Sequence, residues 1–215
     1  DASIFPKFTA NTRPLDDEGT ANCYIAPALN TSYSFDATTM GNGCTTLNVT
    51  PKRLSGVSAR ILWETGTLSE AIVKDVRYQD GRITFTTGTT HGNAVIGLFD
   101  SRGECLWSWH IWATNGALTT HVYPSGYVFM DRNLGAENLD PGDPASRGLY
   151  YQWGRKDPFP GSNGDVNKPT YGPAEYIWPA TGNAPWAQTI STTSLAEYIK
   201  NPYKFNLTIG MDNVY

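Results

Sequence analysis

Between residues 21 and 113, apolar and polar positions alternate in short runs separated by turn residues. "NCYIA", "SYSFDA" and "SARILWE" each read as one half-buried strand. "VKDVRYQDGRITFTT" holds two alternating runs about Asp80-Gly81, the pattern of a hairpin with a two-residue turn. "NAVIGLFDSRGECLWSWHIWAT" predicts a second hairpin, turning at Ser101-Arg102-Gly103. At least seven strands with no helical period among them predict a mainly β chain, with an antiparallel, Ig-like β-sandwich over 21–114.

The aromatic run "CLWSWHIWAT" follows from strand parity. Successive side chains on a strand point to opposite faces. Trp107, Trp109 and Ile111 therefore share one face, and two indoles there predict a central strand that fills the core. Trp63 of "SARILWE" is expected beside them. Ser108, His110 and Trp112 share the outer or inter-domain face, where a lone histidine reads as structural.

Past residue 114 the pattern changes, and ten of the 14 prolines lie beyond residue 120. "GYVFMDRNLG" and "GLYYQWGRKDPF" predict short strands, with a turn cluster, "AENLDPGDPASR", between them. Ser194 and Glu197 in "SLAEYIKNP" form a capping-box pattern, and Asn201-Pro202 stops that helix. Residues 115–215 thus read as a loop-rich, aromatic-rich α+β module packed on the sandwich, with Trp112 at the contact. Residues 1–20 carry Pro6, Pro14 and an acidic "DDEG", and read as an extended N-terminal arm. Two readings of the arm stand: a tether, or a strand added to another chain's sheet edge with Ile4 and Phe8 as anchors.

Composition narrows the function. Charged residues are 17% of the chain and the formal net charge is −4, without the basic footprint that a nucleic-acid partner requires. No apolar run reaches membrane-spanning length. "DASIFPKF" has neither the basic nor the apolar region of a signal peptide, as in a mature exported chain. Cys23, Cys44 and Cys105 read either as buried free thiols or as a Cys23–Cys44 bridge with one thiol left over.

"ANCYIA", "SFDATTMGNG", "ILWET", "YQDGRITF", "GNAVIGLFDSRGECLWSWHIWAT", "FMDRNLGA", "GLYYQWGRKDPF" and "IKNPYKF" follow one another in this chain. In that order the set resembles Bacteroides-type surface proteins described as fimbrillin-like or cell-adhesion proteins. The second half also resembles the Fibrobacter-type major paralogous domain, through its "M-x-x-N-L … L-Y-x-W-G" arrangement. The resemblance implies export and an outer-membrane surface location; the arm, in its reading as a tether, would supply the membrane contact through a lipid. The family continues into a Cys-Pro-Pro-Gly-Trp-like segment that does not follow "MDNVY", so the second module is expected to be incomplete.

Catalytic signatures are missing: there is no G-x-S-x-G, H-E-x-x-H, Walker loop or G-x-G-x-x-G. The formylglycine-generating fold, which the loop-rich half suggests, needs reactive cysteines, and residues 114–215 have none. His91, His110 and His121 have no cysteine or carboxylate at ligand spacing. Asp131, Asp140 and Asp143 raise calcium, but "DPGDP" does not follow the EF-hand pattern and suits turns. The expectation is a non-enzymatic adhesin or fimbria-associated protein without metal or cofactor. Its partners would be surface-fibre subunits, or host or bacterial glycans and proteins. The alternative is a carbohydrate-binding module. Candidate ligand contacts are Arg132, Asn133, Tyr151, Trp153 and Arg155, with Trp153 expected to be buried and Arg155 tied to a carboxylate.

Overall fold

The computed structural model describes residues 12–41, 52–65, 70–159 and 189–207. Eight strands run from the arm to residue 113: β1 (Arg13–Pro14), β2 (Cys23–Ile25), β3 (Ser32–Asp36), β4 (Ser58–Glu64), β5 (Val73–Gln79), β6 (Arg82–Thr87), β7 (Gly92–Phe99) and β8 (Cys105–Ala113). They form two four-stranded sheets, ordered β1-β3-β6-β5 and β2-β8-β7-β4. Both predicted hairpins are present, β5–β6 and β7–β8. Asp80 and Gly81 both take positive φ, 52° and 81°, the left-handed pair that a turn matching strand twist demands.

The sheets meet face to face, as a β-sandwich does. Tyr24, Tyr33, Phe35, Ile83, Phe85, Ile96, Trp107, Trp109 and Ile111 form one buried cluster drawn from both. The Phe35 ring lies 4.9 Å from Tyr24 and 5.2 Å from Trp109 between centroids, so the aromatic contacts bridge the layers. Parity on β8 places Trp107, Trp109 and Ile111 as expected.

Trp63 departs from expectation. It is fully buried, but on the opposite face, with Leu62, Val95 and Phe99. Ile61 pairs with Ile96 while Trp63 pairs with Val95, so Leu62 is an extra residue on β4. One inserted residue reverses the parity of everything after it, and a bulge of this kind leaves no mark in a pattern of apolar letters.

That opposite face is itself covered. Phe159 and Phe205 pack on Leu62, Trp63 and Val95, with Leu149, Tyr150 and Tyr203 at the margin. Every residue of β7 is therefore buried, as are all but one of β8. A sandwich strand with one wet face alternates; a strand covered on both sides has no polar face to show.

Among its described residues the covering segment has little ladder of its own. It contains the two-stranded ribbon β9 (Thr120–Val122) and β10 (Val128–Met130), and the short pairs β11 (Tyr150–Tyr151) with β12 (Pro158–Phe159) and β13 (Thr189–Ile190) with β14 (Phe205–Asn206). Side chains make up the missing backbone bonds. The Gln152 amide donates to the Asn206 carbonyl at 2.6 Å and accepts from its N–H at 3.0 Å, completing a strand-like contact. The predicted helix is α1 (Leu195–Lys200), with Ser194 at the N-cap. Its capping box is not closed: the Ser194 side chain makes no cap hydrogen bond, although its carbonyl accepts from the Glu197 and Tyr198 amides. No described helix is long and apolar enough to cross a membrane.

Part of the N-terminal arm belongs to the sandwich. β1 extends the first sheet as a parallel neighbour of β3, and Asp16 takes a two-pronged contact from Arg82 at 2.7 and 3.1 Å. Burial raises the Asp16 carboxyl, but the bonds from Arg82 and the Asp36 amide outweigh it and hold the group below the ordinary carboxylate range. Ile4 and Phe8 lie outside the described residues, as does Cys44. Cys23 and Cys105 are free thiols.

Candidate functional site

Among the described residues two places gather chemistry: a buried polar seam between the second sheet and the covering segment, and an open hollow beside β10. The seam follows from strand parity. Ser108, His110 and Trp112 point from β8 toward the covering segment, and Asn93 joins them from β7, paired in register with Trp112. Ser108, Trp112 and Asn93 find partners there. The Trp112 indole N–H donates to the Ala136 carbonyl at 2.9 Å, and the Thr114 hydroxyl donates to the same oxygen. The Asn93 amide donates to the Gly135 carbonyl at 2.8 Å.

That last bond sets a proton chain. A carbonyl only accepts, so the Asn93 Nδ2 faces Gly135 and its Oδ1 faces His110 Nε2 at 2.9 Å. Nε2 must then carry the imidazole proton, and Nδ1 is left as an acceptor. The Cys23 Sγ lies 3.2 Å from Nδ1, brought there because β2 pairs Cys23 with His110 across the sheet. Thiol, imidazole and amide stand in the order that cysteine hydrolases use. That chemistry needs a thiolate beside an imidazolium, and this environment opposes both charges. Burial lowers His110 to about 3 and raises Cys23 to about 12. The arrangement is a neutral hydrogen-bond chain.

A second cluster lies along the same seam. The Ser108 hydroxyl donates to the Asp157 carboxylate at 2.6 Å, and the Lys156 ammonium donates to both at 2.6 Å and to the Ser108 carbonyl at 2.8 Å. Lys156 also lies 4.4 Å over the Trp107 ring. Burial lowers the lysine's pKa, and the adjoining Asp157 carboxylate offsets part of that. A serine nucleophile needs a base with a vacant lone pair; here the lysine is committed as a donor and Ser108 is 0% exposed. The cluster pins the covering segment to β8.

Both described thiols are predicted to be inert in the folded protein. Burial holds Cys105 near 12 as well, with the Asp157 charge adding to it. In a Cys44→Ser background at about pH 8, alkylation by iodoacetamide should be about 1,000-fold slower than for an unperturbed thiol. Rapid single-site labelling at Cys23 without unfolding would show that the thiolate forms after all.

The hollow has a volume of about 460 Å³ and is lined by Phe129, Met130, Leu134, Leu139 and Pro141, with Asn133, Asn138 and Ser146 among the polar groups. Asp131 and Arg132 reach it as a mutually neutralised pair at 2.8 Å. The Arg132 guanidinium first, then the Thr119 hydroxyl and amide, hold the Asp131 carboxyl below its ordinary range.

The expected contacts are thus scattered. Arg132 has an almost fully buried side chain that donates to Thr114, Asn115 and Ala117, so it fastens the connection out of β8. Asn133 lines the hollow while its amide donates to the Arg147 carbonyl. Tyr151 lies near the seam, where burial first, then its nearness to Cys23 and Asp157, raises its phenol. Trp153 is 69% exposed rather than buried, because Gln152 and not Trp153 points inward. Arg155 donates to the carbonyls of Lys204 and Asn201 rather than to a carboxylate, and lies against the Phe159 and Tyr198 rings. Asp140 and Asp143 each accept from a backbone amide two residues on, Gly142 and Ala145, as turn residues do. Among the described residues, no group of three or more His, Cys, Asp or Glu side chains is placed to hold a metal ion.

Sequence reasoning did not bring together Cys23, Asn93, Ser108, Lys156 and Asp157. Parity on β8 placed Ser108 and His110 on one face, but their partners come from elsewhere in the chain through tertiary packing. Comparison of the chain with protein-family models, curated proteins and solved structures found no match in any of the three.

Proposed function

We propose that this chain is a non-enzymatic module of a cell-surface assembly, an adhesin or fimbria-associated component. In this reading an Ig-like sandwich carries a second module at the outer-membrane surface, with membrane contact through a lipid tether. The observation that carries it is where the apolar side chains lie. Ser108, His110 and Asp157 of the seam are buried, while Tyr127, Phe129, Leu139 and Trp153 are exposed, with Phe129 and Leu139 lining an open hollow. Exposed apolar side chains gathered about a hollow are a feature of binding surfaces. Surface-fibre subunits and host or bacterial proteins or glycans are the partners it fits.

The alternative is a carbohydrate-binding module, favoured by the outward Trp153 and Tyr127 rings, since sugars stack on flat aromatic faces. One experiment separates the two. Beads coated with the chain, and with a Trp153→Ala/Asn133→Ala variant, are offered to a glycan array and to immobilised host matrix proteins and fibre subunits. Binding to protein surfaces without glycan signal is the expected result. Glycan binding lost in the variant would favour the alternative, and no binding to any surface would overturn both.

A further inference from the structure

We infer that Asn115 is a site of self-modification: its side chain cyclises onto the Gly116 nitrogen, with Arg132 as the activating group, and reopens as an aspartyl or isoaspartyl residue. The inference goes beyond the adhesive reading and is tested independently of it. Asn115-Gly116 is one of three Asn-Gly pairs in the chain, and those at 42–43 and 163–164 lie outside the described residues. It stands in the bend that follows β8, where both residues are exposed. Asparagine is thermolabile because the nitrogen of the next residue can attack its side-chain Cγ and close a cyclic imide. Glycine in that next position has no Cβ to obstruct the approach. Gly116 takes φ 76°, and a side chain placed there would meet no neighbour within 4 Å, so the space for the ring is open. Among the described residues, neither the Gly116 N–H nor the Asn115 side-chain amide is held by a hydrogen bond.

Arg132 supplies what an ordinary exposed Asn-Gly pair lacks. Its Nη1 donates to the Asn115 carbonyl at 2.8 Å and to the Thr114 hydroxyl at 2.9 Å, while its Nε pairs with Asp131. The attacking group is the Gly116 nitrogen after loss of its proton. Amide resonance shares the resulting negative charge with the Asn115 carbonyl oxygen. A hydrogen bond to the charged form favours that form, and the guanidinium is aimed at the atom where the charge develops. The Arg132 side chain is almost fully buried and also donates to the Ala117 carbonyl, so the donor is in place before the reaction begins.

The step balances with water as its one co-reactant. Solvent base takes the Gly116 amide proton, and the nitrogen's electron pair forms a bond to Asn115 Cγ. The bond from Cγ to the side-chain nitrogen breaks, and that nitrogen takes up a proton and leaves as ammonia. Water then opens the ring, adding hydroxyl to one of its two carbonyl carbons and a proton to the Gly116 nitrogen. Opening at Cγ leaves aspartate. Opening at the main-chain carbonyl leaves isoaspartate, whose main chain runs through Cβ and is one atom longer between β8 and β9. In that product the former Asn115 carbonyl is a carboxylate, and the bond from Arg132 becomes charge-assisted.

Peptide mapping by mass spectrometry of the whole folded protein, held at about pH 8, reads each Asn-Gly pair separately. The expected result is a gain of about 1 Da at Asn115, with conversion about tenfold slower in Arg132→Met. The sign is diagnostic: were Arg132 only a fastener of the bend, its removal would loosen the chain there and speed conversion. Amide hydrogen exchange on the unaltered protein is the second measurement, independent of the variant's folding, because base-catalysed exchange passes through the same amide anion. Gly116 should exchange about tenfold faster in the folded protein than in the urea-unfolded chain at the same pH. No mass gain at Asn115, conversion unchanged or faster in Arg132→Met, or exchange at Gly116 no faster than in the unfolded chain would each overturn the inference.

Discussion

Trp109→Ala is expected to lower the unfolding free energy by about 3–5 kcal/mol, the cost of truncating a buried tryptophan whose cavity collapses only in part. The indole is 1% exposed and meets Phe35 across the two sheets. Its strand is covered on both faces, so neighbours on either side are already close-packed and have little freedom to move into the void. Urea denaturation should show a lower midpoint with an unchanged slope. Trp153→Ala is the control: its ring is in water, and the change should stay within about 0.5 kcal/mol. Equal midpoints for the two variants would reject the core assignment.

Acidification is expected to destabilise the fold through His110. Above pH 6.5 the imidazole is neutral in both folded and unfolded chains, and its contribution is fully present. Below that the unfolded chain takes up a proton. The folded chain does not, because burial lowers its His110 to about 3. Stability is therefore lost progressively from pH 6.5 down to the folded value, by an amount on the order of several kcal/mol.

Two other groups bear on the profile. The Glu64 carboxyl is raised by burial, although the Val73 and Ile72 amides that bond it offset part of this, so it favours the fold as pH falls. Asp16, held below the ordinary carboxylate range, gives up its contribution as pH falls through its lower folded value. His110→Gln separates these effects. It should lose stability at neutral pH and show a flatter dependence between pH 6.5 and 4. Parallel profiles for parent and variant would show that His110 does not carry the acid sensitivity.

Local pattern carried the sandwich a long way. Alternation with turn chemistry is a property of neighbouring residues, so β2 to β8, both hairpins and the inward face of Trp107 and Trp109 were legible from the letters alone. The helix at Leu195–Lys200 was legible for the same reason, its stop signals lying within its own segment. The candidate site was much less legible. Arg132 and Arg155 were singled out as ligand contacts, yet in the fold Arg132 divides its donors among Asp131, Thr114 and the Asn115 and Ala117 carbonyls, and Arg155 donates to the Lys204 and Asn201 carbonyls.

The sequence by itself determined the elements and their faces, because strand parity and turn propensity act over a few residues. It also determined that the stretch from Cys105 to Met130 contains no Asp, Glu, Lys or Arg. Tertiary structure alone decided where Trp63 points, since one bulge residue reverses parity and bulges follow from pairing. It alone decided that Cys23, His110 and Asn93 form one chain of hydrogen bonds, since register across a sheet joins residues 87 positions apart. And it decided that the outer face of β7 and β8 is dry while the β9–β10 ribbon is wet. Burial belongs to whatever packs against a strand, and an alternating or continuous run of apolar letters does not say what that is.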